Sequence, residues 1–398
     1  MTIIDTFPHV KKAYFVKACN LDNSDAMERQ GRLISLDVMR GIVIAAMLLV
    51  NNPGSWSYVY APLLHAEWNG LTPTDLIYPF FVFMMGVSLS FSSACNPQKP
   101  VWERVRKILT RSVLLFLAGL LLSIISDLCS GSFSWGTLRI MGVLQGLAAA
   151  YLFSALIVLR IKNRAMLLII PSVILIGYVI LLNIAGGYSL SDMNIIARVD
   201  YLLLGEQHLM QEYLPDGTAI GFEPESILST FPRTAQVMYG AYVGKLLKSC
   251  SEKEKPLLEI FSVGTLALLA GFVLQYADPV NKKIWSSSFT LVTTGAACLV
   301  LSALVCHIDM KGRSSGTGFF RVFGMNPLFL YLLCQIFSSF MDMHCEGLGM
   351  SIKTYMYSQW LSPVFGKYLG SLVYAIFIVL ITWIPGLLLY KKKIFIKL

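Results

Sequence analysis

Ten apolar runs, each near the length at which a helix crosses a bilayer, recur along the whole chain and restrict it to one kind of fold. They lie at approximately 33–53, 74–95, 108–127, 138–159, 165–185, 227–247, 257–276, 286–306, 319–340 and 367–390. A helix needs about 20 residues to span the hydrocarbon layer. Inside that layer every peptide group must find its partner within the protein, which leaves helices or closed barrels. Barrel strands are shorter and alternate strictly, and no such alternation is present. The chain therefore reads as an all-α, polytopic membrane protein of about ten transmembrane helices. Its composition agrees, because 14% charged residues against 56% hydrophobic lies far below the charged content of about 25% in soluble domains.

Lysine and arginine collect in cytoplasmic loops, so counting them predicts orientation. With the N-terminus inside, twenty-five of the 32 fall on the cytoplasmic side. The sparse side keeps only Arg139, Arg198, Arg233, Lys282, Lys283, Lys353 and Lys367. Both termini are predicted to be cytoplasmic, and a bacterial inner membrane is the expected location. The net charge of +9 is then a topology signal, and nucleic acid is not expected as a partner because no basic stripe with interleaved aromatics occurs. Residues 1–32 lack the apolar core of a removable signal peptide and read as a cytoplasmic segment before a single membrane domain over 33–398.

Eight scattered cysteines without a CxxC spacing argue against a metal cluster; only Cys129 and Cys345 share the outer side, where a disulfide between them is chemically open. The longest outer loop, 186–225, carries seven carboxylates, Asp192, Asp200, Glu206, Glu212, Asp216, Glu223 and Glu225, against Arg198. Such a field favours a cationic ligand, although exported loops are in general poor in lysine and arginine.

The segment LVNNPGSWSYVYAPLLHAEWNGLTPTDLIYPFFVFMMG, residues 49–86, concentrates polar groups between two apolar spans. Ionisable residues at a membrane boundary are costly and mark function by default. His65 is the candidate general base, nucleophile or proton shuttle, since its ordinary pKa is near 6.5. Asp75 is placed to orient the imidazole, and Asn51 offers an amide to a carbonyl or oxyanion. Trp68 and Asn69 lie in the same stretch and join the candidate pocket, without a catalytic role for the tryptophan. His9, His208, His307 and His344 lack comparable polar company and read as loop or boundary residues.

Elsewhere, Asp37 and Arg40 in RLISLDVMRG are three apart on one helical face, as an ion pair or as ligands. Arg139 and Gln145 in TLRIMGVLQG, Arg233 in the sixth span and Asn326 in FGMNPLFLY complete the outer and interior polar candidates, unless they serve only as glue between helices. Arg40 and Arg321 are the inner-side candidates for binding phosphates.

These motifs resemble, in order, those of the transmembrane acetyltransferases typified by heparan-alpha-glucosaminide N-acetyltransferase. RLISLDVMRG, LLVNN, HAEWNGLTPTDLIYPFFVFMMG, RIMGVLQG, FEPESILSTFP, IWSSSF and FGMNPLFLY carry the resemblance, which covers most of 32–390. It implies His65 as the catalytic histidine, Asn51 as its assistant, acetyl-CoA as donor, a glucosamine amine as acceptor, and a homodimer. The chain departs from the family pattern at Glu223–Ser226, where DPEG is common, and at Gly146, where arginine is common. Two other readings share the residues: O-acetylation of an envelope glycan, and an amino-sugar permease. Permeases commonly show internal repeats, and none is visible here.

Overall fold

A computed structural model describes residues 33–214, 217–249 and 254–396; the cytoplasmic segment expected at 1–32 lies outside these residues. Each of the ten expected runs is helical. They form α1 (Ile34–Asn51), α2 (Ile77–Phe91), α3 (Val101–Ser130), α4 (Val143–Arg160), α5 (Met166–Ile184), α6 (Ile195–Leu204), α7 (Thr230–Ser249), α8 (Glu254–Leu274), α9 (Ser287–Leu304), α10 (Gly318–Met325), α11 (Pro327–Asp342) and α12 (Lys367–Lys391), with α6 in the long loop. Among the described residues, eight helices are long and apolar enough to cross a membrane, or nine if a bent pair counts as one span.

The count falls short of ten for two physical reasons. The run 319–340 is broken into α10 and α11, which meet at 87°. Proline removes an amide donor and pushes the residue before it out of the helical region. Asn326, immediately before Pro327, accordingly sits at φ −132°, ψ 53°. Its carboxamide then takes up the C-terminal segment, donating to Ile394 O at 3.0 Å and accepting from Ile396 N at 2.8 Å. The run 227–247 is α7, long enough but too polar to qualify on composition; almost every residue from Pro232 to Leu246 is buried in protein. It is the axis of the bundle.

α7 packs chiefly against α2, and α8 against α9. The first crossing is backbone on backbone: a side chain at Gly86 would collide with the Val237 carbonyl, and one at Gly240 with that of Phe83. Small residues are what bring membrane helices so close. One continuous core, including Met39, Leu48, Phe83, Met84, Tyr151, Phe289 and Tyr374, joins α1, α2, α4, α7, α9 and α12. By contrast α5 and α8 expose Val173, Ile176, Leu266 and Val273 outward, as helices facing lipid do. Cys129 and Cys345 are separate thiols.

Candidate active site

The site is built on the turn that starts α2. In Thr72-Pro73-Thr74-Asp75, the threonine caps the turn, the proline occupies its first position, and Asp75 folds back to accept from Thr72 N at 3.0 Å and Thr72 Oγ1 at 3.0 Å. This is the reciprocal capping arrangement, and it immobilises the carboxylate. Asp75 is wholly buried and also accepts from Ala66 N at 3.1 Å. Its remaining oxygen, Oδ1, lies 2.6 Å from His65 Nδ1. His65 itself is 45% exposed, so its far edge faces outward.

A third group completes the cluster. Lys282 Nζ lies 3.0 Å from Nδ1 and 3.1 Å from Nε2 of His65, and 3.8 Å from Asp75 Oδ1. Burial pushes the Lys282 ammonium below the usual lysine range, against the pull of Asp75 and Glu225. It arrives on the α8–α9 loop, which is tied to the histidine loop by Asn281 Nδ2 donating to Asn69 Oδ1 at 3.1 Å and Gly70 N donating to Val280 O at 2.8 Å. Trp68 serves as a strut, its Nε1 donating to Tyr188 O at 2.8 Å and its ring edge-on to Phe222.

Beneath this cluster lies a buried polar layer. Arg233, fully buried on α7, donates from Nη2 to Pro224 O at 2.9 Å and Ser229 Oγ at 2.7 Å, stands 2.9 Å from Glu225 Oε2, and places Cζ 4.7 Å from the Trp285 ring centre. Arg139 grips Glu223 with both Nε, at 2.8 Å, and Nη2, the forked geometry that arginine forms with carboxylates. Gly146 provides the space, since a side chain there would strike Arg233 Nη1. Gln145 Nε2, Arg233 Nε and Nη1, and Trp285 Nε1 are buried donors without a hydrogen-bond partner among the described residues. Unmet donors are costly unless a ligand or water meets them.

Other expected residues fall elsewhere. Asn51 closes α1, partly buried, and is not among the partners of His65. Asp37 and Arg40 pair at 3.3 Å near the start of α1, and Arg40 also reaches Gly324 O at 3.4 Å. Arg321 lies 5.8 Å from the centre of the Tyr390 ring. Asn326 holds the C-terminal segment at the α1-start end, away from His65. Four of the seven carboxylates of the acidic loop are turned inward: Glu212 meets Lys283 at 2.9 Å, Glu223 and Glu225 meet arginines, and Asp200 is buried. Asp192 and Glu206 stay exposed.

Lys282 was missed, yet it had a signal. Of the seven basic residues on the sparse side of the charge count, six are individually held: Arg139, Arg233, Lys282, Lys283 and Lys353 by carboxylates, and Lys367 over the Tyr58 ring. A cation that defies the loop bias is one the fold has a use for.

Asp200 gives a prediction. Burial, with help from Glu223 and against Arg233 and the Ile227 amide, raises its carboxyl to about 7. The unfolded carboxyl titrates near 3.9, so between about pH 4 and 7 the native state holds more protons than the unfolded chain, and stability falls as pH rises through this window. Asp200→Asn keeps an acceptor for Ile227 N, 3.1 Å from Oδ1. The loss of melting temperature from pH 5 to pH 7.5 should be smaller in the variant than in wild type; parallel losses would exclude Asp200 as the source.

The family model for heparan-alpha-glucosaminide N-acetyltransferase, catalytic, matches residues 32–272. A human protein named heparan-alpha-glucosaminide N-acetyltransferase is 29% identical over 361 residues, covering 78% of this chain and 53% of the human one. The mouse protein of the same name is 26% identical over 419 residues, covering 92% and 60%. This chain thus spans little more than half the length of these relatives. His65, Asp75, Glu225 and Arg233 lie inside the family match, and Lys282 lies beyond its end.

Proposed function

This chain belongs to the heparan-alpha-glucosaminide N-acetyltransferase catalytic family, and we propose that it is a membrane-embedded acetyltransferase moving an acetyl group from acetyl-CoA to the amine of a glucosamine-type sugar. The observation that carries the reading is His65, bound through Nδ1 to a carboxylate that three further donors hold in place. A histidine so held presents Nε2 as the basic atom.

The amine attacks in its neutral form, because an ammonium has no lone pair. As the C–N bond forms, Nε2 takes the amine proton, and it returns that proton to the coenzyme A thiolate when the C–S bond breaks. Between these events the carbonyl oxygen carries negative charge. Lys282 is the cation at hand for it, provided its ammonium moves off the ring edge that the acceptor must occupy. Asn51, whose side chain makes no hydrogen bond among the described residues, is assigned to the same carbonyl from the α1 side. Acetyl-imidazole formation on His65 is the alternative route. The site faces the side opposite both termini, and the membrane is an inner membrane.

The test is transfer of labelled acetyl from acetyl-CoA to glucosamine by purified protein. Product N-acetylglucosamine is expected. Acetyl esters of glycan hydroxyls in its place would reassign the acceptor, and sugar flux into sealed vesicles without acetyl-CoA, with no transfer, would replace the enzyme by a permease.

A further inference from the structure

Beside the histidine loop lies a cleft that the transfer chemistry leaves unused. Leu49 at the end of α1, Val59, Tyr60 and Leu63 on the loop, and Tyr368 and Leu372 at the start of α12 line it, around a space of about 250 Å³ with its open mouth included. All six are apolar or aromatic. Gly54 N donating to Ser371 O at 3.1 Å and Ser55 N donating to Ser371 Oγ at 3.0 Å stitch the loop to α12. The Tyr368 ring meets those of Tyr60 and Tyr58 at 5.5 and 5.6 Å between centres. An aromatic belt accounts for rings at a membrane face, but not for an apolar cleft between them that ends beside a catalytic histidine.

The α12 side of the cleft continues onto a lipid-facing surface. Leu372 lies one helical turn before Ile376, on the same face, and Ile376, Phe377 and Leu380 are exposed. The loop side continues toward the chemistry. Leu63 ends the short turn Ala61–Leu63, and His65 stands two residues on, within about 7 Å along the chain. Thr74 Oγ1 donates to Pro62 O at 3.1 Å, binding this turn to the one that carries Asp75. Charge stands at the rim. Lys367 Nζ donates to the Tyr58 hydroxyl at 3.2 Å and lies 4.9 Å from that ring's centre. The other five held cations of the sparse side meet carboxylates. A ring attracts a cation through its quadrupole but carries no net charge, so Lys367 keeps its charge for an anion.

We infer that the cleft binds the hydrocarbon tail of a lipid-linked amino sugar, with Lys367 on the phosphate that joins tail to sugar and the sugar amine presented to His65. The inference rests on the acetyltransferase reading and names its acceptor class. An apolar cleft contiguous with lipid excludes water and so favours hydrocarbon over a free glycan; the first carbons of the tail lie in it and the remainder continues into the bilayer. The transfer step is unchanged, since only the acceptor's anchor differs. Such an anchor holds the sugar at the membrane face, where the histidine loop stands.

Full-length protein in phosphatidylcholine nanodiscs is assayed with labelled acetyl-CoA and three acceptors: glucosamine, decyl glucosaminide, and decyl glucosamine-1-phosphate, in which a phosphodiester joins tail to sugar. Wild type should show a KM at least tenfold lower for the decyl acceptors than for glucosamine. Leu372→Trp and Val59→Trp, which fill the cleft from opposite walls, should each raise KM for both decyl acceptors at least tenfold and leave the glucosamine rates as they were. Lys367→Gln should raise KM for the phosphodiester alone. Partitioning of decyl chains into the nanodisc is the same for every protein, so the comparison between variants is free of it. Unchanged KM for the decyl acceptors in both tryptophan variants, or an equal rise for glucosamine, would overturn the inference. So would loss of co-purified phospholipid from the tryptophan variants with acceptor preference intact, which assigns the cleft to bilayer lipid. Transfer to glucosamine alone would remove this inference and keep the acetyltransferase reading; transfer to none of the three would remove both.

Discussion

Replacement of His65 by alanine is expected to lower kcat for acetyl transfer by about 10²–10⁴, the range of a positioned general base, with little change in stability. The second half follows from burial: the imidazole is 45% exposed, so its loss opens no sealed cavity. Asp75→Asn should fall between wild type and His65→Ala in rate, and below both in melting temperature, because Asp75 is fully buried and receives four donors. The measurement is initial rate with labelled acetyl-CoA on protein matched for thermal transition. Wild-type kcat in His65→Ala would remove the histidine from the chemistry. Parallel initial-rate lines in wild type would select the acetyl-imidazole route, and intersecting lines direct transfer.

The second large effect is on folding. Arg233→Met should destabilise the protein by about 3–5 kcal/mol, because it strands Glu225 in the interior without its counter-ion. Arg233 is entirely buried and holds two further groups, Pro224 O and Ser229 Oγ. Removing both charges in Arg233→Met/Glu225→Met should recover most of the loss, since two apolar side chains of similar volume carry no desolvation cost. Thermal unfolding in one detergent gives the comparison. A double variant as unstable as the single one would mean that the loss comes from packing on Trp285 and not from the pair.

What was legible in the sequence was what is local. His65 and Asp75 are ten residues apart in one turn-forming stretch, so their meeting can be argued from spacing and capping. Lys282 is 217 residues from His65 in sequence, and only the stitching of Asn281 to Asn69 and of Val280 to Gly70 brings it there. The break at Asn326 was legible in principle, since Asn-Pro is a helix stop; averaging hydropathy over 319–340 conceals it. Arg40 and Arg321 drew attention for their charge, but charge alone does not reveal that Asp37 and Tyr390 already hold them.

The burial of α7 bears on how the chain is made. A segment with Arg233 and Gln236 near its start partitions poorly from the insertion machinery into lipid by itself. Its shelter, the small-residue face of α2, emerges from the ribosome well over a hundred residues earlier. α7 therefore enters the membrane as a client of helices already assembled, and the order of synthesis, with α2 before α7, is part of what lets this sequence reach its fold.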